Sequence, residues 1–267
     1  MKLDNNALYD KFITELDSRF SLAGKLVLDL GCGSGEMVKN MGVGYGVKQV
    51  IGIDLFTTSE TGENYCIVQG DVRNLPFDDS SFDLIYARGT FEHMHDLQTV
   101  VSEIRRVLKP RGKFFTNFSP IWTGIIGNHC YCYGEIIRPG EIYDEEIVWA
   151  IPPWGHLYMT KEEMAEHLSE HLVAERVKKA VELIYDSPIL NRYSASHIKD
   201  IIMHSGMIVR LYEEYVMFSR AQILKQRGDS ELTADIIKKI IANKYNPEDI
   251  GINGMQLCLE KYESLNW

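Results

Sequence analysis

Long apolar runs and an excess of positive charge are both missing from this sequence. Its 267 residues carry 28 Lys and Arg against 38 Asp and Glu, which gives a formal net charge of −10. Nucleic-acid affinity depends on clustered basic side chains that neutralise phosphates, so we expect no nucleic-acid partner. A membrane-spanning helix needs about 20 consecutive apolar residues. No stretch approaches that length, so we expect no membrane partner either.

Cysteine is sparse and offers no disulfide framework. The five cysteines are odd in number and scattered at positions 32, 66, 130, 132 and 258. The first residues mix charged and apolar side chains and lack the continuous apolar core of a signal peptide. Both features predict a cytoplasmic protein with free thiols. His129 stands beside Cys130 and Cys132, but no second Cys or His pair has zinc-finger spacing, so no metal site is predicted.

Several short apolar runs bounded by turn residues predict β-strands. A helical pattern with apolar residues at the spacing of one helix face lies between two of them, at residues 97–110. Strands that alternate with helices predict an α/β protein whose sheet is mostly parallel, with helices on both faces. The seven predicted strands cover residues 25–30, 49–55, 65–71, 82–88, 112–119, 207–217 and 254–262.

This pattern breaks down over residues 119–205, after the fifth strand. The segment is rich in aromatic residues, has a rigid bend at "IPPWG", and opens a predicted helix after the capping residue Thr160. We interpret it as an insertion or lid within a single domain of residues 1–267. Its aromatic residues are Trp122, Tyr131, Tyr133, Tyr143, Trp149 and Trp154.

A glycine-rich turn follows the first predicted strand, where an open parallel sheet binds its ligand. Gly31, Gly33 and Gly35 form a G-x-G-x-G pattern, not the G-x-G-x-x-G of dinucleotide sites. Glu36 follows the turn and would repel a pyrophosphate. Asp29 adds a second negative charge just before it, so the site favours a ligand with a cationic end, such as an ammonium group.

Two further carboxylates end neighbouring strands. Asp54 follows the glycines by about 20 residues, where a carboxylate can accept hydrogen bonds from both ribose hydroxyls. Asp71 ends the next strand and could accept a hydrogen bond from an exocyclic amine such as that of adenine. It could also simply cap the following segment. Ribose, adenine and an ammonium group together describe S-adenosylmethionine.

Four ordered segments resemble the successive motifs of the class I S-adenosylmethionine-dependent methyltransferases. They read "VLDLGCGSG", "IGIDL", "GDVRNLPFDDSSFDLIYARGTFEH" and "EIRRVLKPRGKFF". The resemblance implies a Rossmann-like fold and a methyltransferase that uses S-adenosylmethionine and releases S-adenosylhomocysteine. The sequence departs from the family's usual "LKPGG" with Arg111, which affects the expectation for the local turn only.

The resemblance also implies individual roles at the cofactor site. Asp29 and the glycines would meet the methionine end, Asp54 the ribose, and Asp71 with Val72 the adenine. Arg88 would meet the cofactor carboxylate, or it could be a surface cation that pairs with Glu92. The predicted cofactor-binding residues are Asp29, Gly31, Gly33, Gly35, Asp54, Leu55 (packed on the adenine ring), Asp71, Val72 and Arg88.

Histidine is the natural base if the methyl acceptor is an alcohol, because the hydroxyl proton must leave as the new bond forms. His129 and His156 lie in the insertion beside aromatic residues, and His93 follows the fourth strand. Each could instead be a packing or solvated histidine. The other histidines in helix-like segments, at positions 167, 171, 197 and 204, are predicted to be surface or packing residues.

The aromatic insertion is similar to insertions in bacterial methyltransferases of glycan or secondary-metabolite pathways. That similarity implies a small-molecule acceptor, methylated on a hydroxyl of a sugar or other metabolite, with Trp122, Tyr133 and Trp154 forming the wall of its pocket. N-methylation of a small metabolite and a catalytically silent S-adenosylmethionine-binding protein are open alternatives. A nucleotide-dependent oxidoreductase is the alternative from another enzyme class.

Overall fold

The computed structural model describes residues 5–130, 150–216 and 234–263. Its chain divides into two compact units. We call the first the sheet unit, made of residues 4–118, 199–213 and 255–267. We call the second the cavity unit, after the pocket described below; it comprises residues 119–198 and 214–254 together with residues 1–3. The prediction of one domain with an insertion at residues 119–205 stays a prediction.

Within the described residues, eight strands form one sheet in the order β3-β4-β2-β1-β5-β6-β8-β7. Seven of them match the seven predicted strands, and the eighth, β3, has only two residues, too few to show an alternating pattern. The strands are β1 (Leu26–Leu30), β2 (Gln49–Asp54), β3 (Glu60–Thr61), β4 (Tyr65–Gln69), β5 (Phe82–Arg88), β6 (Leu108–Phe118), β7 (Ile208–Tyr215) and β8 (Gly254–Glu260).

Parallel pairing dominates the centre of the sheet. β1 pairs in parallel with β2 and with β5, so that Leu28 lies opposite Ile51 on one side and Ile85 on the other. β2 also pairs in parallel with β4, and β5 with β6. Antiparallel pairs occur where β3 meets β4 and where β8 meets β6. The predicted Rossmann-like, mostly parallel α/β fold is confirmed.

Three helices accompany these strands: α1 (Asn5–Phe20), α2 (Glu36–Gly44) and α3 (Leu97–Val107). The buried side chains of α3 recur at the predicted helical spacing. The helix ends at Val107 instead of continuing to the predicted residue 110, and Leu108 already has extended backbone angles. Pro110 explains this, because it has no N–H for a helical hydrogen bond and disfavours helical angles at the residue before it.

The described part of the cavity unit contains several short helices. They are α4 (Gly155–Tyr158), α5 (Lys161–Ser169), α6 (Ala174–Val181), α7 (Ala195–Met203, which continues into the sheet unit) and α8 (Ala234–Ala242). Thr160 caps α5 as predicted, through a reciprocal capping box with Glu163. Trp154, Met164 and Leu168 belong to the unit's own hydrophobic core. No helix of the described chain is long and apolar enough to cross a membrane.

Candidate functional site

The glycine turn after β1 is fixed by close packing. Gly31, Gly33 and Gly35 all have positive φ angles, of 74°, 56° and 79°. A Cβ atom at Gly31 would lie 2.9 Å from the Thr90 side chain, and one at Gly35 would lie 2.0 Å from Ile67 Cδ1. Gly31 and Gly35 must therefore be glycine, because any other residue would be strained at these φ angles and would overlap Thr90 or Ile67.

Gly33 differs from its neighbours because its outer side is open. No heavy atom lies within 4 Å of where its Cβ would be. Its amide donates a hydrogen bond to Asp54 Oδ2 at 3.0 Å, and the Phe56 amide donates to Asp54 Oδ1 at 2.9 Å. Asp54 therefore braces the turn, while its two oxygens retain lone pairs that can accept further hydrogen bonds.

Apolar surface lies directly beside Asp54. Leu55 is 48% exposed and Phe56 is 88% exposed. Asp71, at the end of the next strand, accepts hydrogen bonds from the Arg73 side chain at 2.6 to 3.1 Å, and this pairing lowers the pKa of Asp71. Val72 is half-buried next to it. An aromatic ring with a polar edge is the kind of group that such apolar and acidic neighbours can bind.

Asp29 lies in the core beneath the turn. It is only 4% exposed, and its Oδ2 accepts a hydrogen bond from the Tyr86 hydroxyl at 2.8 Å. The two residues are direct partners in the parallel register of β1 and β5. Burial raises the pKa of Asp29 to about 7; the Tyr86 bond opposes this rise, and the nearby charge of Asp54 adds to it.

Arg88 packs against α1. Its guanidinium lies over the rings of Tyr9 and Phe12, with Cζ 5.6 Å and 5.3 Å from their centroids. Its positive charge also lowers the pKa of Asp29, although burial outweighs this effect. The cation–π contacts are of the kind that holds a guanidinium in a fixed direction. Its predicted contact with a cofactor carboxylate stays a prediction.

Together these residues fit S-adenosylmethionine. The open side of Gly33 leaves room for a ligand beside the turn, and Asp54 presents carboxylate oxygens next to the exposed side chain of Leu55. α2 opens with Glu36, which would repel a pyrophosphate. The carboxylates of this site therefore suit a nucleoside with a cationic tail better than a dinucleotide.

The cavity unit contains a second candidate site, a pocket of about 500 Å³. That size is within the range of small-molecule sites. Its lining combines aromatic, amide and cationic groups with apolar side chains. The polar and aromatic members include Trp122, His156, Tyr185, Arg192, Asn243 and Tyr245.

His156 is the buried titratable group of this pocket, at 4% exposure. A carbonyl oxygen can only accept, so the His156 Nε2–H donates to the Trp122 carbonyl at 2.7 Å and Nδ1 carries the lone pair. Nδ1 is buried and has no hydrogen-bond partner in the described part of the chain. The pKa of His156 is lowered to about 4, mainly by burial; the hydrogen bond to the Trp122 carbonyl opposes this effect, and the neighbouring His129 adds to it. The ring is therefore neutral near pH 7.

The other predicted bases lie in different settings. His129 is half-buried, and its Nε2–H donates to the Pro120 carbonyl at 2.9 Å. It influences the pKa of His156 but is not part of the pocket lining formed by the described residues. His93 closes a short 3-10 helix of the sheet unit, Phe91–His93, and is half-buried.

The three predicted wall residues also differ. Trp122 lines the pocket, and its Nε1–H donates to the Tyr245 hydroxyl at 2.8 Å. Trp154 is only 2% exposed and belongs to the core of the cavity unit, where its Nε1–H donates to the Ile250 carbonyl at 3.0 Å. It does not appear in the described lining of the pocket. Tyr133 lies outside the described residues.

Sequence reasoning missed several residues of both sites. Tyr86 had a detectable signal, because a tyrosine in a buried strand needs a partner for its hydroxyl. No local sequence signal indicated Arg192 or Tyr245. Arg192 places its guanidinium 5.5 Å from the centre of the Trp122 ring and donates to two backbone carbonyls. Both residues are far from Trp122 in sequence, so only the tertiary fold joins them.

Comparison with known proteins finds a family match within the sheet unit. Residues 28–116 match the family model described as a methyltransferase domain. The chain is 42% identical over 101 residues to a sterol 24-C-methyltransferase of Gibberella zeae, covering 34% of this chain and 27% of that protein. It is 30% identical over 125 residues to the 27-O-demethylrifamycin SV methyltransferase of Amycolatopsis mediterranei, covering 41% of this chain and 46% of that protein. The chain thus spans less than half of the length of these curated relatives.

A solved structure shows the same fold. The geranyl diphosphate C-methyltransferase of Streptomyces coelicolor superposes with a TM-score of 0.52 at 14% identity, covering 96% of this chain and 81% of that one. Such low identity supports the fold alone. The domain match over residues 28–116, about a third of the chain, confirms the predicted resemblance to the class I S-adenosylmethionine-dependent methyltransferases.

Proposed function

We propose that this protein transfers the methyl group of S-adenosylmethionine to the hydroxyl oxygen of a small-molecule acceptor, such as a sugar or another metabolite. The names of two curated relatives, a sterol methyltransferase and a rifamycin methyltransferase, support an acceptor of small-molecule size. One of these names specifies carbon and the other oxygen as the methylated atom. The proposal of oxygen therefore depends on the residues of this chain.

The cofactor part of the proposal rests on the turn of Gly31 to Gly35 and its link to Asp54. When bound, S-adenosylmethionine supplies an electrophilic methyl group on a sulfonium. In our proposal Asp54 accepts hydrogen bonds from the ribose hydroxyls, and Leu55 packs on the adenine. Asp71 and Val72 meet the adenine edge, which requires Asp71 to share its oxygens with Arg73. Asp29 and Arg88 act at the methionine end.

The observation that supports oxygen as the methylated atom is the buried Nδ1 of His156, which has no hydrogen-bond partner among the described residues. His156 lines the pocket, and the Nε2–H bond to the Trp122 carbonyl fixes the tautomer. We propose that the acceptor hydroxyl donates its hydrogen bond to Nδ1. As the methyl–oxygen bond forms, the oxygen becomes strongly acidic, and its proton passes to Nδ1. A weakly basic imidazole is sufficient, because the proton leaves an oxonium-like oxygen.

His129 and His93 are the other candidates for this role. His129 has its Nε2–H committed to the Pro120 carbonyl, and its charge acts on His156, so a supporting electrostatic role is the alternative that its position favours. In our proposal Trp122 forms part of the acceptor pocket wall. We assign Trp154 to the packing behind that wall, because it is buried in the core. Tyr133 stays a predicted wall residue.

The cofactor half is tested by calorimetric titration with S-adenosylmethionine and with NAD. We expect saturable binding of S-adenosylmethionine alone. Asp54→Asn is the informative variant, because asparagine keeps the shape and one acceptor for the Gly33 amide but loses the charge. We expect it to weaken binding by about 1 to 3 kcal/mol. Binding of NAD but not of S-adenosylmethionine would favour an oxidoreductase.

The acceptor half is tested by turnover with a panel of hydroxyl and amine metabolites. His156→Phe, which keeps ring volume, should reduce turnover by about 10² to 10⁴ fold while S-adenosylmethionine affinity stays unchanged. The exposed His204, which belongs to the sheet unit, gives the control His204→Ala. A methylamine product would replace the hydroxyl proposal with N-methylation. Cofactor binding without S-adenosylhomocysteine formation from any acceptor would indicate a catalytically silent protein.

A further inference from the structure

A cluster of potential metal ligands lies at the end of α5, in the cavity unit but outside the pocket described above. His167, Glu170 and His171 each offer one ligand atom, and these three atoms all lie within 4.8 Å of one another. His167 is half-buried, and the other two are exposed. Neither the cofactor proposal nor the acceptor proposal uses these residues.

The backbone holds the three side chains on one face. Their spacing is i, i+3 and i+4, which places side chains next to each other on a helix. The helical turn continues past Ser169, since the Glu170 amide donates to the His167 carbonyl at 3.2 Å and the His171 amide to the Leu168 carbonyl at 3.0 Å. Leu168 is fully buried and anchors this turn in the unit's core.

A second observation concerns the orientation of His167. Its Nε2–H donates to the Ala150 carbonyl at 3.1 Å, which leaves the lone pair on Nδ1. Metal-binding histidines are usually held in this way, with one ring nitrogen donating to a carbonyl while the other binds the ion. The His171 ring lies beside it, with centroids 5.3 Å apart and an interplanar angle of 66°.

We propose that His167, Glu170 and His171 bind a divalent transition-metal ion of the zinc type. Two imidazole nitrogens and one carboxylate oxygen form a ligand set that zinc accepts, and water would take the fourth position. With bonds of about 2.0 to 2.2 Å, tetrahedral ligand atoms lie roughly 3.3 Å apart. Rotation of the two exposed side chains closes the remaining gap. Magnesium and calcium, which prefer six or more oxygen ligands, should bind poorly.

The sequence predicted no metal site and placed both histidines at the surface or in packing. That prediction rested on the lack of paired cysteines and histidines at zinc-finger spacing, whereas this cluster depends on a single helical turn. The Glu-His pair and the earlier histidine become neighbours only if residues 167–171 are helical.

The test is calorimetric titration of the full chain with zinc chloride, after treatment with a chelator and dialysis, without S-adenosylmethionine. We expect one zinc ion to bind to the cluster. His171→Ala is the decisive variant, because an exposed side chain can be removed without disturbing the core. It should weaken binding by at least the roughly 10 to 100 fold that loss of a group supporting a metal ligand costs. His167→Ala should do the same, and Glu170→Gln should have a smaller effect. Cobalt should give the visible absorption of a tetrahedral nitrogen and oxygen site.

The matched control is His204→Ala. His204 is also exposed on a helical turn and has a carboxylate partner four residues earlier, with Nδ1 3.1 Å from Asp200 Oδ1. It offers two ligands instead of three, so its removal should leave zinc affinity unchanged. The proposal is overturned if zinc does not bind saturably, or if His171→Ala binds zinc as tightly as the wild-type chain. Neither result would bear on methyl transfer.

Discussion

The sheet unit and the cavity unit organise their candidate chemistry in different ways. In the sheet unit, the backbone defines the site: glycines at positive φ make the turn, and Asp54 is bound to backbone amides. In the cavity unit, side chains from distant parts of the chain define it, with His156 and Tyr245 meeting around Trp122. A site made from one turn leaves a compact motif in the sequence, whereas a site made from converging side chains does not.

The two units also bury titratable groups with opposite pH behaviour. Asp29 in the sheet unit has its pKa raised to about 7, and His156 in the cavity unit has its pKa lowered to about 4. Burial is the main cause in both cases, since it disfavours whichever form is charged. The carboxylate therefore costs stability at high pH, and the imidazole costs stability at low pH.

Gly35→Ala should have the largest effect on stability, because it changes the backbone of the glycine turn itself. A Cβ there would meet Ile67 Cδ1 at 2.0 Å and Cγ1 at 2.9 Å, and Ile67 is buried. Strain at positive φ and overpacking together predict a loss of about 2 to 5 kcal/mol in the free energy of unfolding. Urea denaturation measures it.

Gly33→Ala is the matched control for that substitution. Gly33 shares the positive φ but has an open side, so only the backbone strain of about 1 to 2 kcal/mol should appear. Equal losses in the two variants would show that packing against Ile67 does not fix the turn. Much weaker cofactor binding by folded Gly33→Ala would support the proposal that its open side admits the ligand.

The success of sequence reasoning differs between the units for the same physical reason. In the sheet unit, strand and helix periods, the glycine spacing and the Asp54 position were all local signals, and the fold followed from them. The number of strands and the ends of the helices were harder to predict, because Pro110 ends α3 early and β3 is only two residues long. The partnership of Asp29 with Tyr86 needed the register of two strands, which no local pattern reveals.

In the cavity unit, the aromatic residues indicated a separate cluster but not its arrangement. Trp122 lines the pocket whereas Trp154 is packed behind it, and both are tryptophans with a similar local sequence setting. Their indole N–H groups also have different partners: that of Trp122 donates to the Tyr245 hydroxyl, and that of Trp154 donates to the Ile250 carbonyl. Those partners, Tyr245 and Ile250, lie about a hundred residues further along the chain.

His156→Phe tests the pH behaviour of the cavity unit. The folded pKa of His156 lies near 4 and its ordinary value is 6.5, so the unfolded chain takes up the proton first as the pH falls. The wild-type chain should lose about 3 kcal/mol of stability between about pH 7 and pH 4 through this residue. The variant should lack this contribution, and urea titrations across that range compare the two chains.

The control for this comparison is the exposed His204→Ala, whose pH dependence should match that of the wild type. If His156→Phe and the wild type lose stability in parallel as the pH falls, then His156 is not held neutral by burial. The proposal that Nδ1 receives the acceptor proton would then lose its support as well.

Asp29→Asn tests the opposite sign in the sheet unit. The folded pKa of Asp29 is about 7 against an ordinary value of 3.8, so the cost of its buried charge grows as the pH rises between these values. Relative to the variant, the wild-type chain should lose about 2 to 3 kcal/mol between about pH 5 and pH 8. Asparagine can still accept the hydrogen bond from the Tyr86 hydroxyl. A constant difference between the chains would contradict the raised pKa.

Tyr245→Phe should have the smallest effect and tests whether the pocket depends on its side-chain partners. The substitution leaves the Trp122 Nε1–H without its acceptor at 2.8 Å, which predicts a loss of about 1 to 2 kcal/mol. Tyr185→Phe is a control in the same pocket, because its hydroxyl donates to the Met159 carbonyl instead of accepting from Trp122.

If Trp122 helps to form the acceptor pocket, Tyr245→Phe should raise the KM for the acceptor and leave S-adenosylmethionine affinity unchanged. An unchanged KM would show that the Trp122–Tyr245 hydrogen bond contributes to stability but not to acceptor binding. The proposed acceptor site would then be limited to the residues around His156.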